Sequence, residues 1–212
     1  MSMPSALVTP VREDLTASLL SRIEGGKLDF VLIALPYDTA NLLVEPLFDD
    51  NLWVVGRKND AELKSWTINV TPVITDRLLL LEEGHCLRDH VLYVCGASDR
   101  HATLGVEATS LLTLVQMIES GLGIGLVPEM AVKRGLTHGP NLVSRPMAKP
   151  SPKRTIALAA RRSTSRLTDM KTLAQVIAAK PTSAYDAAWG NGFLKPDQFV
   201  EIVYSSAVKG RR

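Results

Sequence analysis

Two thiols, Cys86 and Cys95, are the only cysteines in this 212-residue chain, and they stand nine positions apart in the run Glu82-Glu83-Gly84-His85-Cys86-Leu87-Arg88-Asp89-His90-Val91-Leu92-Tyr93-Val94-Cys95. Gly84 follows a four-leucine run at 78–81 that reads as a buried strand, and 87–95 has helical composition. Cys86 is therefore expected at a helix N-terminus, where free N–H groups and the helix dipole favour a thiolate. His85 and Arg88 add positive or hydrogen-bonding character, and Glu82 and Glu83 oppose it. A thiolate can attack peroxide oxygen to give a sulfenic acid, which a second thiol condenses to a disulfide. On an intact helix, nine residues give about 13.5 Å of rise and about 900° of rotation. A disulfide needs Cα atoms within about 7 Å. The two thiols can bond only if the segment unwinds, so 86–95 would be a two-state element rather than a staple. The plain alternative is that both are small buried core residues.

Other chemistries find less support. There is no G-x-S-x-G, and the four histidines follow no nucleophile pattern. There is no H-E-x-x-H. A ligand set of His85, Cys86, His90 and Cys95 is disfavoured, because His90 and Cys95, five apart on a helix, point different ways. No metal or cofactor is expected. Gly121-Leu122-Gly123-Ile124-Gly125 follows a helix and opens a strand, the reverse of a phosphate-binding loop, and reads as a helix stop with close packing.

The elements that must position these residues have an α/β pattern. A helix over 14–26, capped by Asp14 or Thr16 and ended by Gly25-Gly26, precedes a short apolar run at 27–35. That run reads as a strand buried on both faces of a parallel sheet. Short strands are expected at 44–48, 52–55 and 78–81, and a loop or short helix at 58–72. A helix capped by Thr109 or Ser110 should carry Leu111, Leu114, Val115 and Ile118, stop at Gly121 and lead into a strand at 124–127. Pro128 should start another helix. A strand at 155–160 and an amphipathic helix at 167–179 follow. Apolar residues make up 46%, charged residues 22%, and the net charge is +2. These values exclude general disorder and give no overall electrostatic footprint for nucleic acid. No apolar stretch suits a membrane span and no export signal opens the sequence, so the expected location is the cytoplasm.

The string Gly84-His85-Cys86-Leu87-Arg88-Asp89, with Cys95 nine positions on, resembles the redox segment of the OxyR-type hydrogen-peroxide sensors, a branch of the LysR-type transcriptional regulators. Leu19 to Leu32, Ala108-Thr109-Ser110-Leu111, Gly121 to Pro128 and Arg154-Thr155-Ile156 support it, over roughly residues 10–180. The resemblance implies an α/β regulatory domain like a periplasmic binding protein, with two subdomains joined by crossing strands. Residues 1–54 and 160–182 would form subdomain I and 55–159 subdomain II with the redox cysteines. The 183–212 segment matches no feature of the family, and its lack of a clean period reads as a tail with a tendency to disorder. The resemblance further implies that Cys86 is the peroxidatic and Cys95 the resolving cysteine of a reversible disulfide. Thr16, Gly84, His85, Arg88, Asp89 and Arg161 would line the peroxide pocket. The implied signal is hydrogen peroxide, and the implied partners are further copies (dimer or tetramer) or an intact regulator. The implied activity is regulatory rather than enzymatic, and the helix at 109–119 would contribute to subunit contacts.

The chain departs from that family in lacking a helix-turn-helix and linker helix, and the first strand and helix of the regulatory region also have no counterpart. No direct DNA binding is therefore expected of this chain, and an exposed sheet edge is. Three rivals remain on sequence grounds. One is a LysR-type domain that binds a small organic effector with inert cysteines, and another is a thiol peroxidase. The third, a periplasmic solute-binding protein, is disfavoured by the missing export signal.

Overall fold

Residues 153–161 send alternate side chains to opposite faces, and their buried run from 156 to 160 needs a covering layer on each. In the computed structural model, which describes residues 12–96 and 106–179, this strand lies between two others. The elements in order are α1 (Thr16–Glu24), β1 (Phe30–Leu35), β2 (Leu42–Arg57), a 3-10 turn (Ala61–Leu63), α2 (Pro72–Asp76), β3 (Leu80–Leu81) and α3 (Cys86–Cys95). They continue with β4 (Glu107–Ala108), α4 (Leu111–Glu119), β5 (Gly125–Pro128), α5 (Glu129–Lys133), β6 (Leu142–Pro146), β7 (Lys153–Arg161) and α6 (Leu167–Ala179). The main sheet has the order β1-β7-β2-β5, with β6 also paired to β2. Alternate residues of β7 face opposite layers. Ala159 joins Ile23, Val31, Ile33 and Leu42 beneath α1, whereas Leu158 and Ala160 join Met170 and Ala174 of α6. The second half of β2 carries the largest core, in which Leu52, Val54 and Val55 pack with Leu79, Leu87, Leu114, Ile118 and Ile124. Residues 15–178 form one compact unit.

Three expectations are corrected. Every strand pair in the main sheet is antiparallel, β1 to β7 in the register Phe30↔Ala160 through Leu35↔Thr155, so the apolar run at 27–35 does not belong to a parallel array. β1 and β2 share a direction only because both oppose β7. Among the described residues, β3 and β4 pair in parallel, Leu80↔Glu107 and Leu81↔Ala108. Nor is β1 buried on both faces, since Leu32 is 53% exposed. The expected strands at 44–48 and 52–55 are one sixteen-residue strand. Its register shifts between Pro46 and Phe48, where proline offers no N–H to the ladder. Its charged middle does not break it, because Asp49 and Asp50 take side-chain partners from Lys153, Thr155 and Arg154 across the sheet. Finally, neither Asp14 nor Thr16 caps α1. The N-cap is Leu15 without a side-chain bond, and Thr16 is the first helical residue, 6% exposed.

Elsewhere the pattern is realised closely. Ser110 caps α4 through its hydroxyl, which accepts from Thr113 N at 3.1 Å. Gly121 ends that helix at φ +86°, and a Cβ at Gly123 would run into Arg77 O and the Leu79 side chain. β6 was not expected, because its Leu-Val-Ser-Arg-Pro sequence has a single fully buried residue. The region expected to be a loop or short helix, 58–72, holds the 3-10 turn Ala61–Leu63 and leads into α2, capped by Thr71. The tail at 183–212 lies outside the described residues. Among the described residues, no helix is long and apolar enough to cross a membrane.

Candidate functional site: the N-terminus of the cysteine helix

β3 delivers the chain into the core, and Gly84 turns it out again at φ +95°, a left-handed conformation that side-chain-bearing residues rarely adopt. A Cβ there would sit 3.2 Å from Leu15 Cδ1, so the glycine also lets the start of α1 approach the turn. His85 follows as the extended N-cap, and Cys86 is the first residue of α3. Leu87 and Val91 anchor one face of α3 in the large core, which fixes where the helix N-terminus points. The half-buried Cys86 thiol therefore sits where α1 and α3 begin close together.

Tyr37, just beyond β1, completes this corner. Its hydroxyl donates to Asp89 Oδ2 at 3.2 Å and hydrogen-bonds the Thr16 side chain. The phenol is pushed up to about 12, by burial first, then by the charge and hydrogen bond of Asp89, with Cys86 adding to it. It stays protonated at neutral pH and remains a donor. Thr16, already inside the helix rather than at its N-cap, thus turns its hydroxyl to Tyr37. His85 Nε2 lies 3.7 Å from Glu82 Oε1.

Thr16, Gly84, His85, Cys86 and Asp89 are therefore assembled around one corner, and two other expected residues are not. Arg88 is buried and turned toward the sheet, where its Nη1 donates to Leu81 O (2.8 Å) and Glu107 Oε1 (2.6 Å), tying α3 to β3 and β4. Arg161 Nη1 donates to Ile23 O (2.9 Å) at the far end of α1. Seven helical residues, about 10 Å, separate that end from Thr16, so Arg161 caps α1 rather than lining this corner. Two residues were missed, Tyr37 and His90. A proline directly after a strand, as in Leu35-Pro36-Tyr37, signals a turn that could carry an aromatic ring to the strand end. His90 was weighed only as a metal ligand. Among the described residues, no group of three or more His, Cys, Asp or Glu side chains could hold a metal ion.

Cys95 is the last residue of α3, followed by Gly96 in the left-handed C-cap conformation. Both cysteines are free. With the helix intact their Cα atoms are about 13.5 Å apart along its axis, twice the reach of a disulfide. Cys95 packs against the large core, and burial pushes its thiol up to about 11. Because folding raises this thiol from 9.0, the reduced fold keeps the associated stability below about pH 9 and loses it as pH rises through about 11. Urea unfolding at pH 8 and pH 10.5 is expected to show a smaller alkaline loss for Cys95→Ser than for the unsubstituted chain. Equal losses would show that this thiol does not titrate with unfolding.

Residues 10–181 match the family model described as the LysR substrate binding domain. The HTH-type transcriptional regulator EstR of Acinetobacter baylyi is 38% identical over 155 residues, which cover 73% of this chain and 51% of that protein. The DNA-binding transcriptional dual regulator OxyR of Escherichia coli is 31% identical over 176 residues, covering 83% of this chain and 57% of that protein. The chain thus spans about half the length of the curated relatives it matches. In structure, the reduced OxyR regulatory domain of Pseudomonas aeruginosa is similar at a TM-score of 0.67 and 35% identity, covering 78% of this chain and 80% of that one. A peroxide-bound cysteine-to-serine variant of Corynebacterium glutamicum OxyR gives a TM-score of 0.73 at 26% identity, covering 86% of this chain and 58% of that one. The chain belongs to the LysR substrate binding domain family, and OxyR regulatory domains are among its relatives in both sequence and structure.

Proposed function

We propose that this chain is a peroxide-sensing regulatory domain that switches by a reversible Cys86–Cys95 disulfide. The observation that carries the reading is the placement of the two thiols at opposite ends of one intact helix. In the first step the Cys86 thiolate attacks one oxygen of hydrogen peroxide. The S–O bond forms, the O–O bond breaks, and the departing hydroxide takes a proton to leave as water. Sulfur is oxidised to the sulfenic acid and peroxide is reduced. The Tyr37 phenol, which feels the charge of Cys86, supplies a hydrogen-bonding group for a peroxide oxygen, with Thr16 hydrogen-bonded behind it. In the second step the Cys95 sulfur attacks the sulfenic sulfur. The S–S bond forms, the S–O bond breaks, and water leaves. Two barriers delay this step, distance and the buried, protonated state of Cys95. Unwinding α3 removes both together, which makes the helix the switch.

In the same reading, 1–54 with 160–182 and 55–159 act as two subdomains, and the oxidised segment alters how the chain pairs with further copies or with an intact regulator. The test is to count free thiols and record far-ultraviolet circular dichroism before and after a small molar excess of peroxide. Loss of both thiols with loss of helical signal is expected, fully reversed by dithiothreitol. Two thiols surviving peroxide would overturn it.

A second reading has one observation in its favour. The family model matched by residues 10–181 is described as a substrate binding domain, which suits a small-molecule effector. A domain binding a small organic effector, with inert cysteines, would retain both thiols under peroxide and show a ligand-induced thermal shift unaffected by replacing either one.

A further inference from the structure

His90 is buried, yet both of its ring nitrogens meet oxygen: Nδ1 lies 2.6 Å from Cys86 O and Nε2 lies 2.7 Å from Leu35 O. Both oxygens are backbone carbonyls, which only accept. A ring with one N–H satisfies one of them and turns a lone pair toward the other. A ring with two N–H groups satisfies both. Cys86 O lies in the first turn of α3 and Leu35 O at the end of β1, so this one side chain joins the cysteine helix to the sheet. Tyr37 makes a parallel connection from the same turn to the neighbouring residue, Asp89. The other ionisable groups on the elements it joins are Cys86, Asp89, Tyr93 and Cys95 on α3 and Tyr37 and Asp38 just beyond β1, while Arg88 donates to Leu81 O and Glu107.

We propose that His90 in its doubly protonated form is a positioning residue that clamps reduced α3 onto the end of β1, and that opening the clamp releases a proton and so couples the disulfide to pH. The inference rests on the disulfide reading above for its redox part. Forming the Cys86–Cys95 bond unwinds the turn that holds Cys86 O, so the Nδ1 bond is lost. The ring then no longer needs its second proton. Reducing the disulfide with a dithiol adds two electrons and two protons at sulfur, and the clamp takes up one more proton at His90.

Redox titration of the full chain in dithiothreitol buffers across pH 6–8 tests this, with His90→Gln beside the unsubstituted protein. Gln keeps a donor but cannot gain a proton. The unsubstituted chain is expected to take up as much as one proton more per disulfide reduced than His90→Gln. The Gln variant should also favour the disulfide about tenfold more, as expected on losing a charge-assisted bond that stabilises only the reduced form. Equal proton uptake in the two proteins would overturn the coupling. Nitrogen-15 spectra of the reduced, unsubstituted chain give a reading that needs neither the variant nor the disulfide. Two protonated ring nitrogens at His90 at pH 6.5 support the clamp, and a single-proton tautomer overturns it. If no disulfide forms at all, the peroxide-switch reading fails while these spectra still decide the clamp.

Discussion

With Cys86 replaced by serine, peroxide is expected to leave the remaining thiol intact on the timescale that consumes both thiols of the unsubstituted chain. Cys95 alone is a poor nucleophile where it lies. Its thiol, pushed from 9.0 to about 11 by burial, carries about 100-fold less thiolate at neutral pH than an unperturbed cysteine, and the thiolate is the species that attacks. The complementary variant behaves differently. In Cys95→Ser, Cys86 keeps its place at the start of α3, so one equivalent of peroxide should convert it to a sulfenic acid with no partner. A 1,3-diketone probe traps that species, and mass spectrometry should find the adduct on the peptide containing Cys86. The two variants separate the sensor from its rivals. An effector-binding domain with inert cysteines loses no thiol in any of the three proteins. A thiol peroxidase consumes peroxide continuously with a thiol reductant, whereas a switch consumes about one equivalent per cycle of oxidation. Rapid loss of the Cys95 thiol in Cys86→Ser would reverse the assigned roles.

The parts of this site that the sequence reveals are the local ones. Gly84, Cys86 and the helix to Cys95 follow from neighbouring residues, because turn chemistry and helical composition act over a few positions. The same holds for α4, its Ser110 cap and α6. What the sequence leaves hidden is set by distant partners. The Leu32 position reads as buried because its run is apolar, but only the pairing of β1 with β7, some 125 residues on, decides which face is covered. Arg88 and Arg161 are polar residues near candidate chemistry in a motif, and polarity alone does not say whether a guanidinium faces a ligand or a backbone carbonyl. Both face carbonyls. His90 escapes for the same reason, since its partner Leu35 O is 55 residues away. The single strand at 42–57 is the clearest case. Asp49-Asp50-Asn51 looks like a break, and it is a break only when those charges lack partners.

That last point leads to the largest expected loss of stability, at Asp50. It lies in mid-β2, 3% exposed. Its Oδ2 accepts from Arg154 Nε at 3.1 Å and Nη2 at 2.9 Å, and its Oδ1 accepts from Met130 N at 3.0 Å. One carboxylate thereby joins β2 to β7 and holds the first turn of α5. The Arg154 side chain is itself only 11% exposed. Asp50→Ala leaves that guanidinium without its counter-charge and Met130 N without its acceptor, which is expected to cost about 3–5 kcal/mol. Against a typical total of about 5–15 kcal/mol, the domain would be left marginal. Asp50→Asn keeps an acceptor for Met130 N and should cost less. The double change Asp50→Leu with Arg154→Met removes both charges and should cost less than Asp50→Ala, because the penalty lies in the stranded cation rather than in the missing bond. Urea unfolding of the four proteins, followed by circular dichroism, checks the order. A loss under about 1 kcal/mol for Asp50→Ala, within the range of exposed pairs, would mean that Arg154 reaches water when its partner is gone, and that packing rather than this ion pair keeps β2 continuous.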